Sequence, residues 1–153
     1  MGAETRLVEL GIELPPSPAP VASYVPVVIS GGLAYISGQV PQEAGKLLWR
    51  GKVGGDLDLS AGADAAKRCA LQALAALREA LGTLDRVRRI VKVSVFVASH
   101  PGFTDQPKVA NGASDLLVEV FGESGRHARV AVGVAELPLG GPVEVELVAE
   151  IET

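Results

Sequence analysis

Residues 90–98, IVKVSVFVA, constrain the fold more than any other stretch of this chain. They are β-branched or apolar at positions of both parities. A strand built from them is buried on both faces and therefore sits in the middle of a sheet. A central strand needs neighbours, and the sequence offers several. Residues 24–30 (YVPVVIS) and 33–40 (LAYISGQV) flank the turn pair Gly31-Gly32 and read as a hairpin. Pro26 places the first of them at an edge. Residues 46–53 (KLLWRGKV) follow a turn at Gly45 and read as a third strand. Residues 128–136 and 142–152, joined by LPLGG at 137–141, read as two more.

Helical periodicity fills the gaps between these strands. Thr5 is placed to cap a short helix that runs to Leu10 and stops at Gly11. The segment 14–20, LPPSPAP, is too rich in proline for regular structure and reads as an extended path over the surface. Ser60 is a candidate cap for a helix whose apolar stripe is Ala66, Ala70, Ala73, Leu74, Leu77 and Leu81, with Gly82 as its stop. Thr104 is a candidate cap for another, with Pro107 in its first turn. The stripe there is Val109, Ala110, Ala113, Leu116, Leu117, Val120 and Phe121, and Gly122 ends it. After the short first helix the order is β-β-β-α-β-α-β-β. This is an α+β chain with a sheet of about six strands. Two helices are too few to cover both faces, so they pack on one. The other face meets water or another subunit.

Bulk properties exclude several functions. The 153 residues fit one domain, 1–153, in which 1–23 form a short helix and a proline-rich extension. Net charge is −4 and there are six aromatic residues (one Trp, two Tyr, three Phe), which argues against a nucleic-acid partner. Cys69 is the only cysteine and falls in a helical run of alanines, where it reads as a small buried apolar residue. His100 and His127 have no companions at metal-ligand spacing, so no metal site is expected. The start, MGAETRLVELG, lacks the apolar stretch of a secretory signal. Arg6 stands where a myristoylation signal wants Ser or Thr. No apolar run is long enough for a membrane span. A cytoplasmic protein is expected.

The last two strands carry the chemistry. In 128–136, Val130, Val132 and Val134 share one face, and Arg129, Ala131, Gly133 and Ala135 share the other. Valines suit the face beneath the helices, which would put Arg129 on the opposite face beside three very small residues. A guanidinium with space in front of it suits a carboxylate guest; an ion pair with an acidic residue of the last strand is the other reading. In 142–152, Glu144, Glu146, Glu150 and Glu152 line one face, with Val148 among them. A simple hairpin around LPLGG would not bring Glu144 opposite Arg129, so spacing alone does not join the two. Trp49 reads equally as a subunit contact or a half-exposed side chain. His100 reads as part of a loop connector, and His127 lies beside the space in front of Arg129.

SGQVP (37–41), the two-helix pattern, ARVAVGVAELP (128–138) and VEVELVAE (143–150) together resemble the RidA family, also called YjgF/YER057c/UK114 or L-PSP endoribonuclease-like. The resemblance runs from about Tyr24 to the end. The N-terminal extension and the final loop look like those of its longer subgroup. It implies a chorismate-mutase-like fold with two helices on one face of a mixed sheet, and a homotrimer with a cleft at each subunit interface. It also implies hydrolysis of reactive enamines and imines to 2-keto acids and ammonia, with no cofactor. By the same resemblance Arg129 grips the substrate carboxylate and Glu144 positions the attacking water. Tyr24, Ser37, Gly38, Asn111 and Ala131 line the substrate site. His127 stands where the family pattern has proline, Val130 where it has a small polar residue, and Ala131 where the deaminases often carry cysteine. Three other functions stay open at this point: a non-catalytic sensor of small carboxylates, the ribonuclease or translation inhibition of the older family name, and a chaperone-like surface.

Overall fold

The computed structural model describes residues 2–17, 19 and 22–153. Its elements run α1 (Ala3–Leu10), β1 (Val27–Ser30), β2 (Leu33–Gln39), β3 (Gln42–Glu43), β4 (Lys46–Leu47), α2 (Leu59–Leu81), β5 (Val87–Ala98), α3 (Gln106–Phe121), β6 (Ala128–Val134) and β7 (Val143–Ile151). The apolar run at 90–98 lies in β5, an interior strand as expected, but it is not buried on both faces, since Val91 is 36% exposed on the open side. It pairs antiparallel with β7 and parallel with β6. Among the described residues the main sheet has the order β1-β2-β7-β5-β6.

Two expectations about the sheet need correction. The strand read at 46–53 shrinks to Lys46–Leu47, which pairs only with Gln42–Glu43 in a small separate ribbon. The main sheet therefore has five strands, not six. Left-handed backbone at Gly51 and Gly54 turns the chain away before it can extend. Trp49 rests half-buried against the core. The last two strands are not a hairpin either, because β5 lies between β6 and β7. A smaller difference concerns residues 24–26, which precede β1 rather than belong to it. The proline-rich path read at 14–20 lies outside the described residues at Pro18 and Pro20.

Caps shifted as well. Asp58, not Ser60, caps α2, its side chain accepting a 2.8 Å hydrogen bond from the Ala61 N–H. Asp105, not Thr104, precedes α3, and Gly2, not Thr5, precedes α1. The starts of α1 and α2 move earlier than expected and that of α3 one residue later. The Glu4 carboxylate ties α1 down, accepting two bonds from Arg78 at 3.0 and 2.8 Å and one from the Leu84 N–H at 3.0 Å.

α2 and α3 both cover one face of the sheet. Val93, Val95 and Val97 of β5 and Val143, Val145 and Leu147 of β7 are buried beneath them with Ala66, Cys69, Ala70, Ala73, Leu74 and Leu77 of α2. The small residues let the helices approach closely. At Gly112 of α3 a Cβ would overlap the Ala63 carbonyl of α2.

β6 faces the opposite way from the sequence expectation. Arg129, Ala131 and Gly133 pair with Val93, Val95 and Val97, which are core residues on the helix side. Paired residues share a face, so Arg129 lies on the side of α3. Val130 and Val132 point to the open face, where they are 38% and 40% exposed. Local packing explains the reversal. A Cβ on Gly133 would stand 2.8 Å from Gln106 Nε2 and 3.0 Å from Ser99 Oγ, leaving no room for valine on that side.

Gly112→Ala therefore costs roughly 3 kcal/mol of stability through overpacking at the α2–α3 contact. Urea unfolding followed by circular dichroism measures this, and an unchanged midpoint would refute the tight contact.

Candidate active site

Arg129, the second residue of β6, is exposed to solvent, with no carboxylate within salt-bridge distance among the described residues. Its Nη1 donates to Asn111 Oδ1 at 2.8 Å and to Ser114 Oγ at 3.2 Å. Asn111 and Ser114 are three residues apart on α3 and so share one helix face. The guanidinium is thus held at one nitrogen by neutral groups, while its Nε–Nη2 edge makes no hydrogen bond among the described residues. That edge is the two-pronged donor that matches a carboxylate. The ion-pair reading of Arg129 with an acidic residue of the last strand does not hold. Ala131 follows on the same face, half-buried against the core.

A second group of residues forms elsewhere. Between Ile36 and Gln39 the pairing of β2 with β7 slips, so Ser37 and Gly38 sit in a bulge. Ser37 stabilises the preceding chain: its hydroxyl donates to the Val25 carbonyl at 2.7 Å and its N–H to the Pro26 carbonyl at 2.9 Å. Those bonds hold Tyr24 beside the bulge. Gly38 gives its space to Glu144, since a Cβ there would lie 2.8 Å from Glu144 Oε1. Tyr24, Gly38 and Glu144 line a cavity of about 370 Å³ together with Gln39 and Leu139. Sequence reasoning missed the last two. Gln39 is reached only through the bulge, and Leu139 through a left-handed backbone (φ 63°) in the LPLGG loop.

Glu144 is half-buried, and its carboxyl pKa is raised above the ordinary range. Burial is the larger cause, because the charged form loses water. Repulsion from Glu146, two residues along the same face of β7, adds to it. A carboxylate so placed holds a proton more readily and is a better base near neutrality.

The two groups do not meet within one chain. Arg129 pairs with Val93 and Glu144 with Phe96, so they sit two strands apart and three residues out of step. Their Cα atoms are roughly 14 Å apart and their side chains leave opposite faces of the sheet. Arg129, Asn111 and Ala131 form one group, and Tyr24, Ser37, Gly38 and Glu144 the other. Ser114 was absent from the sequence reading, although its spacing from Asn111 was the available signal. His127, which reads as a neighbour of the site, contacts Ser114 through Nε2 at 2.9 Å. His100 stays in its loop, with Nδ1 3.1 Å from the Pro101 carbonyl.

Among the described residues no three His, Cys, Asp or Glu side chains are grouped to hold a metal ion. No helix among them is long and apolar enough to cross a membrane.

The sheet order and the two helices on one face define an α+β protein of the chorismate-mutase-like class. Residues 4–151 match the model of the YjgF/chorismate mutase-like endoribonuclease family, and the chain belongs to that family. Protein TCP17 of Trypanosoma cruzi is 51% identical over 147 residues, covering 95% of this chain and 92% of that protein. A 2-iminobutanoate/2-iminopropanoate deaminase of Dermatophagoides farinae is 32% identical over 141 residues, covering 92% of this chain and 95% of that protein. The crystal structure of a candidate endoribonuclease from Shewanella oneidensis MR-1 superposes with a TM-score of 0.94 at 39% identity, covering 99% and 100% of the two chains.

The burial and charge around Glu144 set an expected titration. In carboxyl-detected NMR, Glu144 takes up its proton at a higher pH than an ordinary glutamate. Glu146→Gln moves that midpoint down without restoring the ordinary value, since burial remains. An ordinary midpoint in the unmodified protein would contradict the described environment.

Proposed function

We propose that this protein hydrolyses small 2-imino acids, and the enamines in equilibrium with them, to 2-keto acids and ammonia. The observation that carries the reading is Arg129, an exposed guanidinium anchored at one nitrogen by neutral partners and open along its other edge. The printed name of the Dermatophagoides relative agrees with it.

In this reading the Nε–Nη2 edge of Arg129 binds the substrate carboxylate through two charge-assisted hydrogen bonds. Backbone groups at Ser37 and Gly38, with Tyr24, orient the imine, and Asn111 and Ala131 shape its other wall. Glu144 accepts a proton from a water whose oxygen bonds to the imine carbon. The carbon–nitrogen double bond becomes single in a carbinolamine. The nitrogen takes up a proton and leaves as ammonia while the carbonyl forms. The protonated imine is already electrophilic, so the protein supplies mainly orientation and proton transfer. No cofactor enters this scheme.

Since Arg129 and Glu144 leave opposite faces of one sheet, a substrate touching both lies between copies. We take the assembly to be a homotrimer in which the α3–β6 edge of one copy faces the Tyr24–Gly38–Glu144 cavity of the next. Cyclic symmetry makes three equivalent clefts. The open sheet face supports association, for Val28, Tyr35, Val130 and Val132 are all 38–51% exposed there. We place the protein in the cytoplasm, on the strength of its single, buried thiol.

Two measurements test this. With imino acid generated in situ by an L-amino-acid oxidase, Arg129→Ala lowers kcat/KM for keto-acid release at least about 100-fold. Equal rates for both proteins would refute the clamp. Co-expression of Arg129→Ala with Glu144→Gln, each inactive alone, restores about a quarter of wild-type turnover, because one cleft in four pairs two intact halves. No restoration would mean that the site is not shared between copies.

A further inference from the structure

Resting on the reading of Arg129 as a carboxylate clamp, we propose that Ser114 and His127 are positioning residues that decide which edge of its guanidinium faces the substrate. The assignment follows from a chain of hydrogen bonds in which each donor and acceptor is determined by the one before it. It starts at Gly125, whose carbonyl lies 2.6 Å from His127 Nδ1. A carbonyl only accepts, so Nδ1 carries the ring proton. In the neutral ring Nε2 is then a bare lone pair, and it sits 2.9 Å from Ser114 Oγ. The Ser114 hydroxyl therefore donates to His127. Its oxygen is turned the other way, with a lone pair free for the Arg129 Nη1–H at 3.2 Å. Asn111 Oδ1 accepts the second Nη1 hydrogen at 2.8 Å.

Both hydrogens of Nη1 are thereby used. The guanidinium cannot turn that nitrogen to the solvent without breaking two bonds, so the Nε–Nη2 edge is the one presented. Neutral partners suit this task, because a carboxylate in their place would cancel the charge that the substrate needs. The foundation is rigid. Gly125 is buried, and a Cβ there would overlap the Leu117 carbonyl of α3, so the segment bearing its carbonyl is pressed against the same helix that carries Asn111 and Ser114.

The test compares Ser114→Ala, Ser114→Thr and His127→Phe with the wild type. Loss of one hydrogen bond to a charged group raises KM, and the dissociation constant of 2-oxobutanoate by calorimetry, about tenfold, with kcat within about twofold. Ser114→Thr keeps the hydroxyl and restores wild-type values. Long-range proton–nitrogen NMR of the wild type at mildly alkaline pH shows His127 with its proton on Nδ1. In Ser114→Ala the Nε2 resonance moves to the position of an unbonded nitrogen. The NMR arm needs no variant to fold, and a proton on Nε2 in the wild type overturns the proposal. So does wild-type KM in Ser114→Ala and His127→Phe while Arg129→Ala has lost binding. Wild-type binding by Arg129→Ala sinks the clamp itself, a separate result.

Discussion

The structure depends on the two-residue alternation of β7. Val143, Val145, Leu147, Ala149 and Ile151 are all buried under the helices, and this row, hydrogen-bonded to β2 on one side and β5 on the other, is the middle of the core. The same alternation sends Glu144, Glu146 and Glu150 to the far face. A core that tolerates no slip in register thus fixes the position of Glu144 as a consequence. A shift by one residue would bury the glutamates and expose the valines, which is too costly to occur.

The edge strand β6 obeys a different rule. It lies outside the densest part of the core and is shaped by what α3 leaves room for. Arg129, Ala131 and Gly133 face the helix side, where Gly133 has no room for a branched side chain, and the valines that would ordinarily seek the core are displaced to the open face. This inversion brings Arg129 to Asn111 and Ser114. It also separates Arg129 from Glu144 by the thickness of the sheet, and places exposed valines on a face suited to another copy. One packing constraint thereby sets both the surroundings of Arg129 and its separation from Glu144.

The two groups differ in electrostatic character. Among the described residues the hydrogen-bond partners of Arg129 are neutral, so its charge is not offset by a carboxylate. Around Glu144 burial and a like charge make the ionised form less comfortable, which favours proton uptake. Within the chain they are two separate walls, one with a guanidinium open along one edge and one with a carboxylate that takes up a proton readily. The bulge at Ser37 and Gly38 serves the second wall by opening the space that the carboxylate occupies.

Much of this was legible in the residues alone. The central strand at 90–98, the two helical stripes and their glycine stops, the hairpin at Gly31-Gly32 and the burial of Cys69 all follow from periodicity and turn chemistry, because these are local properties of the chain. The rows of Glu144 and Arg129 were equally visible as alternating patterns. Three features were not. The stretch 46–53 has the composition of a strand but turns away at Gly51 and Gly54. LPLGG looks like a hairpin loop although β5 intervenes. The valines of β6 look like core residues and are not. The first turns on positive-φ backbone at two glycines, which composition does not reveal; the other two depend on contacts between segments distant in sequence, which a one-dimensional pattern does not contain. The sequence alone determined which residues alternate and where helices stop; only the tertiary structure decided which face each row meets, because that choice is made by the volume left between packed elements.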